Sequence, residues 1–162
     1  MQTLLQKGAT ILNPASRYLK LVWTNVDTGS NVHIANNIDT LFQKKNVSNM
    51  TSGQASGSKA KVKCIGSFSC IFGKTHLQTK PKYTLGMFQN PTSTISTYAL
   101  KKFDGFIRAN HESNLFLRTI DKDGNEFWFT PENGLLKVIN GLDYVPIIHP
   151  VDHPPITKQA TF

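Results

Sequence analysis

A short polar stretch near the N-terminus, Asp27-Thr28-Gly29-Ser30, carries the residue types best suited to acid–base chemistry. Two carboxylates that share one proton can divide the work. One acts as a base on a water molecule, and the other, protonated, polarises a carbonyl group. A glycine close to the Asp lets the backbone pass nearby and offers an N–H to the carboxylate. The stretch therefore suits one half of such a pair.

The alternative is an ordinary turn between two strands. An Asp-Thr-Gly tripeptide arises by chance in a chain of this length with a frequency of about a few per cent. No second Asp-Thr-Gly or Asp-Ser-Gly occurs, since Asp104 and Asp123 are followed directly by glycine and Asp143 by tyrosine. A single chain therefore offers one such carboxylate, and a pair requires a two-fold homodimer that brings two copies of Asp27 together.

The segments that follow the motif resemble the proteases of copia-type LTR retrotransposons. The loop VDTGSNVHIANNIDTLF is followed by TSGQASGSKAKVKCIGSF, which is similar to the flap hairpin and the next strand of that family. NPTSTISTYALKKF is similar to the family's helix, and GFIRANHESNLFLRTIDKDGNEFWF to its closing strands. The resemblance covers about residues 21–130. The chain departs from it just before Asp27, where Thr24 and Asn25 stand in place of apolar residues.

The resemblance implies an all-β fold, a retropepsin-like closed β-barrel with one short helix, in a homodimer. It implies an aspartic endopeptidase that processes a Gag-Pol polyprotein in the cytoplasm, within virus-like particles, and that needs neither cofactor nor metal. Asp27 would be the catalytic acid–base residue. Supporting roles fall to Thr28 as a bracing hydroxyl, Gly29 as a position of close approach, and Ser30 as a hydrogen-bonding support.

The same resemblance implies a substrate-binding flap. A polyprotein peptide would lie between the subunits as an extended strand, held partly by main-chain hydrogen bonds. The small, polar and Gly/Ser-rich residues 46–61 suit a mobile hairpin that closes over such a peptide and excludes water; the alternative is a plain surface loop. The flap residues expected to contact substrate are Ser52, Gly53, Gln54 and Ala55.

The elements that must position these residues are mainly strands. YLKLVW (18–23) alternates and predicts a strand that leads into the motif. KVKCIGSFSCIFG (61–73) predicts a long strand covered on both faces, in which Cys64 and Cys70 are small buried hydrophobes. Further predicted elements are a strand at 82–88, a short capped helix within 90–103, and strands at 104–110, 114–121 and 126–131, the last two joined by a DKDGN hairpin.

The domain limits follow from these elements. Residues 1–17 are interpreted as a lead-in or spacer, 18–143 as the protease domain, and 144–162, with its prolines, as an extended and poorly packed tail. His149 and His153 have a spacing that could suit a metal, but a proline-rich tail is the preferred interpretation. The other histidines on predicted strands, His33 and His111, are expected to be packed or exposed rather than catalytic.

The charge distribution suggests an alternative function. The net charge is +8, and ten lysines but no acidic residue lie between Asp39 and Asp104. The block Lys44–Lys82 could contact RNA through counterion release. The chain could then be a small basic β-rich protein that binds nucleic acid or belongs to a virion, without catalysis. No apolar run is long enough to predict a membrane span.

Overall fold

The structure, a computed structural model, describes residues 18–53 and 57–154 and consists mainly of β-strands. The prediction of an all-β chain with one short helix is confirmed. No helix in the described part is long and apolar enough to cross a membrane. The strands are β1 Tyr18–Asp27, β2 His33–Ala35, β3 Leu41–Asn46, β4 Thr51–Gly53, β5 Lys59–Lys61, β6 Cys64–Phe72, β7 Thr75–Gln78, β8 Thr84–Gly86, β9 Thr94–Ser96, β10 Arg108–Glu112, β11 Phe116–Ile120, β12 Glu126–Phe129, β13 Lys137–Ile139 and β14 Leu142–Val151, with helix α1 at Thr97–Lys102 and short 3-10 turns at Ile38–Thr40 and Pro81–Tyr83.

The largest sheet contains nine strands in the order β13-β14-β1-β9-β2-β8-β6-β3, with β7 also paired to β6. Strand β14 pairs antiparallel with both β1 and β6. The pairings therefore lead from β14 through β1, β9, β2, β8 and β6 back to β14. Strand β1 runs antiparallel to β14 over Tyr18–Asn25 and parallel to β9 over Asn25–Asp27. Asp27 thus ends a strand that has a partner on each side.

Strand β6 forms the middle of the core, as its sequence predicts. Cys64, Phe68, Cys70 and Phe72 are all buried on one face, and Ile71 is buried on the other. The predicted two-sided strand and the buried cysteines are confirmed, and burial raises the pKa of both thiols. The phenylalanine rings of this strand pack against aromatic neighbours such as Phe129, whose ring centroid lies 4.9 Å from that of Phe72. These contacts hold β6 in place, and β6 pairs with both β14 and β8.

The prediction that residues 144–162 form a poorly packed tail is wrong for residues 144–151. Residues 142–151 form β14, and every residue from 143 to 151 is buried. The predicted domain boundary after residue 143 therefore falls inside a core strand. Pro146 and Pro150 suggested a tail, but both lie outside the registers with β13 and β6. There β14 is paired along one edge only, so a missing N–H can be tolerated.

The remaining strands form two small sheets. Strands β10, β11 and β12 make an antiparallel sheet after the helix, in agreement with the three predicted strands and their hairpin. The hairpin turn is held by Asp121, whose carboxylate accepts hydrogen bonds from the backbone N–H groups of Asp123 and Asn125 and from the hydroxyl of Thr75. Strands β4 and β5 form a separate two-stranded hairpin. Strands β3, β7, β9 and β13 were not predicted.

Truncation of a β14 side chain tests whether this segment is a core strand or a tail. Ile147 is fully buried, whereas Ile139, in the adjoining edge strand, is 49% exposed. We expect Ile147→Ala to lower the free energy of unfolding by about 2–5 kcal/mol, because it leaves a cavity in the core. The same change at Ile139 should cost less than about 1 kcal/mol. Urea denaturation measures both, and equally small losses would contradict the core position of β14.

Buried His149 should make the fold sensitive to acid. Burial, with a smaller contribution from the charge of Lys20, lowers the pKa of His149 from 6.5 to about 3. Below about pH 6.5, His149 is protonated in the unfolded chain but stays neutral in the folded chain. The free energy of unfolding therefore falls as the pH drops toward 3.

We expect the unfolding free energy of the wild type to fall, relative to that of His149→Leu, by about 1.4 kcal/mol for each pH unit below 6.5. Carboxylates titrate in both proteins and cancel in the comparison. Denaturation series between about pH 7 and about pH 4.5 measure the difference. Parallel pH profiles for the two proteins would contradict the expectation.

Candidate active site

The carboxylate of Asp27 lies at the surface, at the end of β1. The residue is half-buried, and the following turn residues, Thr28 and Gly29, are exposed. The backbone N–H of Gly29 donates a hydrogen bond of 2.8 Å to Asp27 Oδ1. Oδ2 has no hydrogen-bond partner among residues 18–53 and 57–154. One oxygen is therefore oriented by the turn, while the other is free to contact a second group.

The loop that carries Asp27 is anchored to the start of helix α1 by Ser96. Ser96 is buried and lies opposite Asp27 in the parallel ladder between β9 and β1. Its hydroxyl donates a hydrogen bond of 2.5 Å to the carbonyl oxygen of Ser30 and accepts one of 3.0 Å from the N–H of Ala99. The same oxygen therefore caps the helix and holds the loop in place.

A buried imidazole braces the same residue from the other side. Ser96 donates its backbone N–H to His33 Nδ1 at 2.9 Å, so the ring proton lies on Nε2. Nε2 donates to Asp104 Oδ2 at 2.6 Å, and both side chains are almost fully buried. Asp104 follows the helix, so the pair ties the strand after the loop to both ends of α1. His33 is therefore packed, which is one of the two positions expected for it.

The polar residues before Asp27 find partners within the fold. Thr24 is buried, and its hydroxyl donates to the carbonyl oxygen of Val22 at 3.1 Å. The side-chain amide of Asn25 donates to the carbonyl oxygen of Asp143 at 3.1 Å. The carboxylate of Asp143 in turn accepts a bond of 2.8 Å from His111 Nε2. Thr24 and Asn25 therefore replace apolar packing with hydrogen bonds, and Asn25 ties β1 to β14.

The other residues of the loop differ in the contacts that they make within the chain. The hydroxyl of Ser30 donates to the carbonyl oxygen of Val32 at 2.7 Å, which stabilises the exit from the turn. The hydroxyl of Thr28 makes no hydrogen bond in the described part of the chain. A Cβ at Gly29 would meet only Asp27 Oδ1, at 3.4 Å. Nothing among the described residues of one chain therefore requires a glycine there, and the predicted close approach would have to come from outside them.

The predicted flap coincides with the β4–β5 hairpin. Ser52 and Gly53 lie on β4, opposite Ala60 and Lys59 of β5. Gln54 and Ala55 lie outside the described residues. A cleft opens beside this hairpin, between β5 and the segment at 87–90 that leads toward β9. Its lining includes three lysines and two apolar side chains: Lys59, Lys61, Lys63, Met87 and Phe88.

The histidines considered for a metal are separated by the fold. His149 is buried against Phe68, with ring centroids 5.2 Å apart. His153 is exposed and lies 3.0 Å from the carboxylate of Asp39. No group of three or more His, Cys, Asp or Glu residues that could hold a metal occurs among residues 18–53 and 57–154. The spacing of the two histidines in the sequence therefore does not bring them to one site.

The sequence indicates the Asp27 loop but not the residues that hold it in place. A Ser or Thr cap was expected at the start of the helix, yet nothing local indicated that Ser96 also binds the loop. His33 and Asp104 are 71 positions apart, so no spacing rule could have joined them. A signal was nevertheless present: both are polar residues next to strand or helix ends, and such residues, when buried, need partners.

Removal of the Ser96 hydroxyl should loosen the loop and the helix together. We expect Ser96→Ala to lower the free energy of unfolding by about 1–3 kcal/mol, because a helix cap and a loop anchor are lost at once. Ser113 is exposed, and Ser113→Ala should change stability by less than about 0.5 kcal/mol. Thermal or urea denaturation compares the two, and equal effects would contradict the anchoring role.

No protein-family model, curated protein or solved structure matches this chain.

Proposed function

We propose that the chain is an aspartic endopeptidase that acts as a homodimer, with Asp27 from each subunit forming the catalytic pair. The observation that carries this proposal is the position of the Asp27 carboxylate and its hydrogen bonding. It lies at the open surface with one oxygen fixed by the Gly29 N–H, on a loop anchored through Ser96 to a helix cap. The anchored loop therefore holds the carboxylate in a defined position, as the orientation of a catalytic group requires.

The proposed reaction divides acid and base roles between two copies of Asp27. The ionised carboxylate takes a proton from a water molecule as the water oxygen attacks the carbonyl carbon of the scissile peptide bond. The protonated carboxyl donates its proton to the carbonyl oxygen, which gives a tetrahedral diol. The carboxyl group that took the proton from water then gives it to the amide nitrogen, and the other carboxylate takes a proton from one diol hydroxyl. The C–N bond breaks as the C=O bond forms again, which leaves a carboxylic acid and an amine and restores the starting protonation of the pair. No covalent intermediate forms, and the substrate would be a polyprotein that contains the protease.

The fold supplies two features that support this function. The pairings that return from β14 through β1 and β6 support a closed, retropepsin-like barrel, which would hold the loop on a rigid frame. The β4–β5 hairpin and the cleft beside it support a flap over an extended peptide. The unused hydroxyl of Thr28 and the absence of a crowding atom at Gly29 suit a loop that meets a second copy of itself.

A nucleic-acid-binding role has one observation in its favour. All eight lysines of the block Lys44–Lys82 are exposed, and no acidic residue interrupts the block. Phosphate contacts from such lysines would make RNA affinity fall steeply with salt. This role does not explain why the Asp27 loop is anchored, so we place it second.

Replacement of the proposed catalytic carboxylate should abolish proteolysis without unfolding the chain. We expect Asp27→Asn to lower the rate of precursor self-processing by at least about 10²–10⁴-fold, because an amide can neither accept the proton of water nor share one. Asp123→Asn, in an exposed hairpin turn, should leave the rate unchanged. Gel analysis of a longer precursor measures the rate, and a statine-type peptide should inhibit the wild type.

Cleavage that survives Asp27→Asn would overturn the proposal. Loss of cleavage in both variants would point to misfolding, and circular dichroism of each variant identifies that case. Salt-sensitive RNA binding with no cleavage of any precursor would favour the nucleic-acid role instead.

A further inference from the structure

A groove beside the Asp27 loop has walls of opposite charge. One wall is helix α1, with Tyr98 and Lys101, and the other is β10, with Asn110 and Glu112; Thr28 completes the lining. Helix α1 and β10 pack against each other, and β10 is held to β14 by the bond between His111 and Asp143. The groove is therefore built on firm elements and lies next to the residue that follows Asp27.

The two charged residues of this groove are unpaired. Lys101 and Glu112 are both exposed, and neither forms an ion pair with any other residue of 18–53 and 57–154. They come from parts of the chain with opposite character. Lys101 lies near the end of the stretch between Asp39 and Asp104 that lacks acidic residues, whereas Glu112 belongs to the mildly acidic segment after it. The surface thus carries one charge of each sign on facing walls.

Such a surface is complementary to itself under a two-fold rotation. In a two-fold interface, a contact from residue i to residue j is always repeated from j to i. A lysine wall and a glutamate wall on either side of one axis therefore give two identical ion pairs. Tyr98, which is 43% exposed, adds an aromatic side chain of the type enriched at interfaces.

We propose that this groove binds a second copy of the chain, with Lys101 of each subunit facing Glu112 of the other. This rests on the proposed function, because the Asp27 site is incomplete without a second carboxylate. The interface would set the two loops side by side at the two-fold axis, where Thr28 can bond across it. The groove would therefore be the surface through which the two copies of Asp27 are brought together.

Charge reversal tests the interface with a matched control. In a homodimer of Lys101→Glu, both ion pairs become contacts between two carboxylates, and in Glu112→Lys both become contacts between two ammonium groups. We expect each variant to raise the dimer dissociation constant about tenfold or more at low salt. Lys102→Glu makes the same charge change on an exposed neighbour outside the groove and should leave the constant within about threefold of the wild type. Analytical ultracentrifugation of the full chain measures all four proteins.

A mixture of the two reversed variants provides the decisive measurement. A heterodimer of Lys101→Glu with Glu112→Lys contains two restored ion pairs, so mixing should bring back both dimerisation and precursor cleavage. A monomeric wild type, a loss equal to that of Lys102→Glu, or no recovery on mixing would overturn this interface. Cleavage that depends on Asp27 can still stand in the last two cases, through a different two-fold interface, whereas a monomeric wild type also overturns the homodimeric protease. Recovery of the dimer without any cleavage would support the interface and count against the protease proposal.

Discussion

The hydroxyl and N–H of a single buried residue, Ser96, determine where the candidate carboxylate lies. Through its hydroxyl the residue joins the Asp27 loop to the cap of helix α1, and through its N–H it joins both to His33. Each of these bonds satisfies a polar group that would otherwise be buried without a partner. Because one residue satisfies several groups at once, the loop, the helix and the strand after the loop cannot move independently. The position of Asp27 is thus a property of this network rather than of the turn alone.

A second chain of contacts connects the same strand to the C-terminal half. Asn25 binds the backbone of Asp143, and the carboxylate of Asp143 binds His111 on β10. The strand that ends at Asp27 is therefore linked through β14 to the wall of the groove described above. Support for the neighbouring surface therefore comes from a second set of partly buried polar groups, and strand β1 carries both Asn25 of this set and the Asp27 loop. In such a set, a partial loss of bonds is costly because the remaining groups stay buried without partners.

Local patterns in the sequence were enough to predict some elements. The alternation in β6, the cap before α1 and the turn residues between β11 and β12 are signals carried by neighbouring residues, and they predicted these elements correctly. Strand β14 was misread because its prolines are common in tails, and only the pairing partners reveal why they are tolerated. The hydrogen bond between His33 and Asp104 joins residues 71 positions apart. Contacts of this kind depend on topology, which residue spacing does not encode.

The pairing of β1 with β14 also determines when β1 can complete its contacts during synthesis of the chain. Tyr18 lies opposite Val151 in the ladder, so the strand that ends at Asp27 leaves the ribosome long before its principal neighbour exists. Contacts this distant in sequence form slowly and only after the intervening chain has been made. A nascent chain that stops short of β14 exposes the edge of β1 and lacks the Asp143 carbonyl that Asn25 requires. The loop around Asp27 therefore acquires its full set of supporting contacts only after β14 has been synthesised.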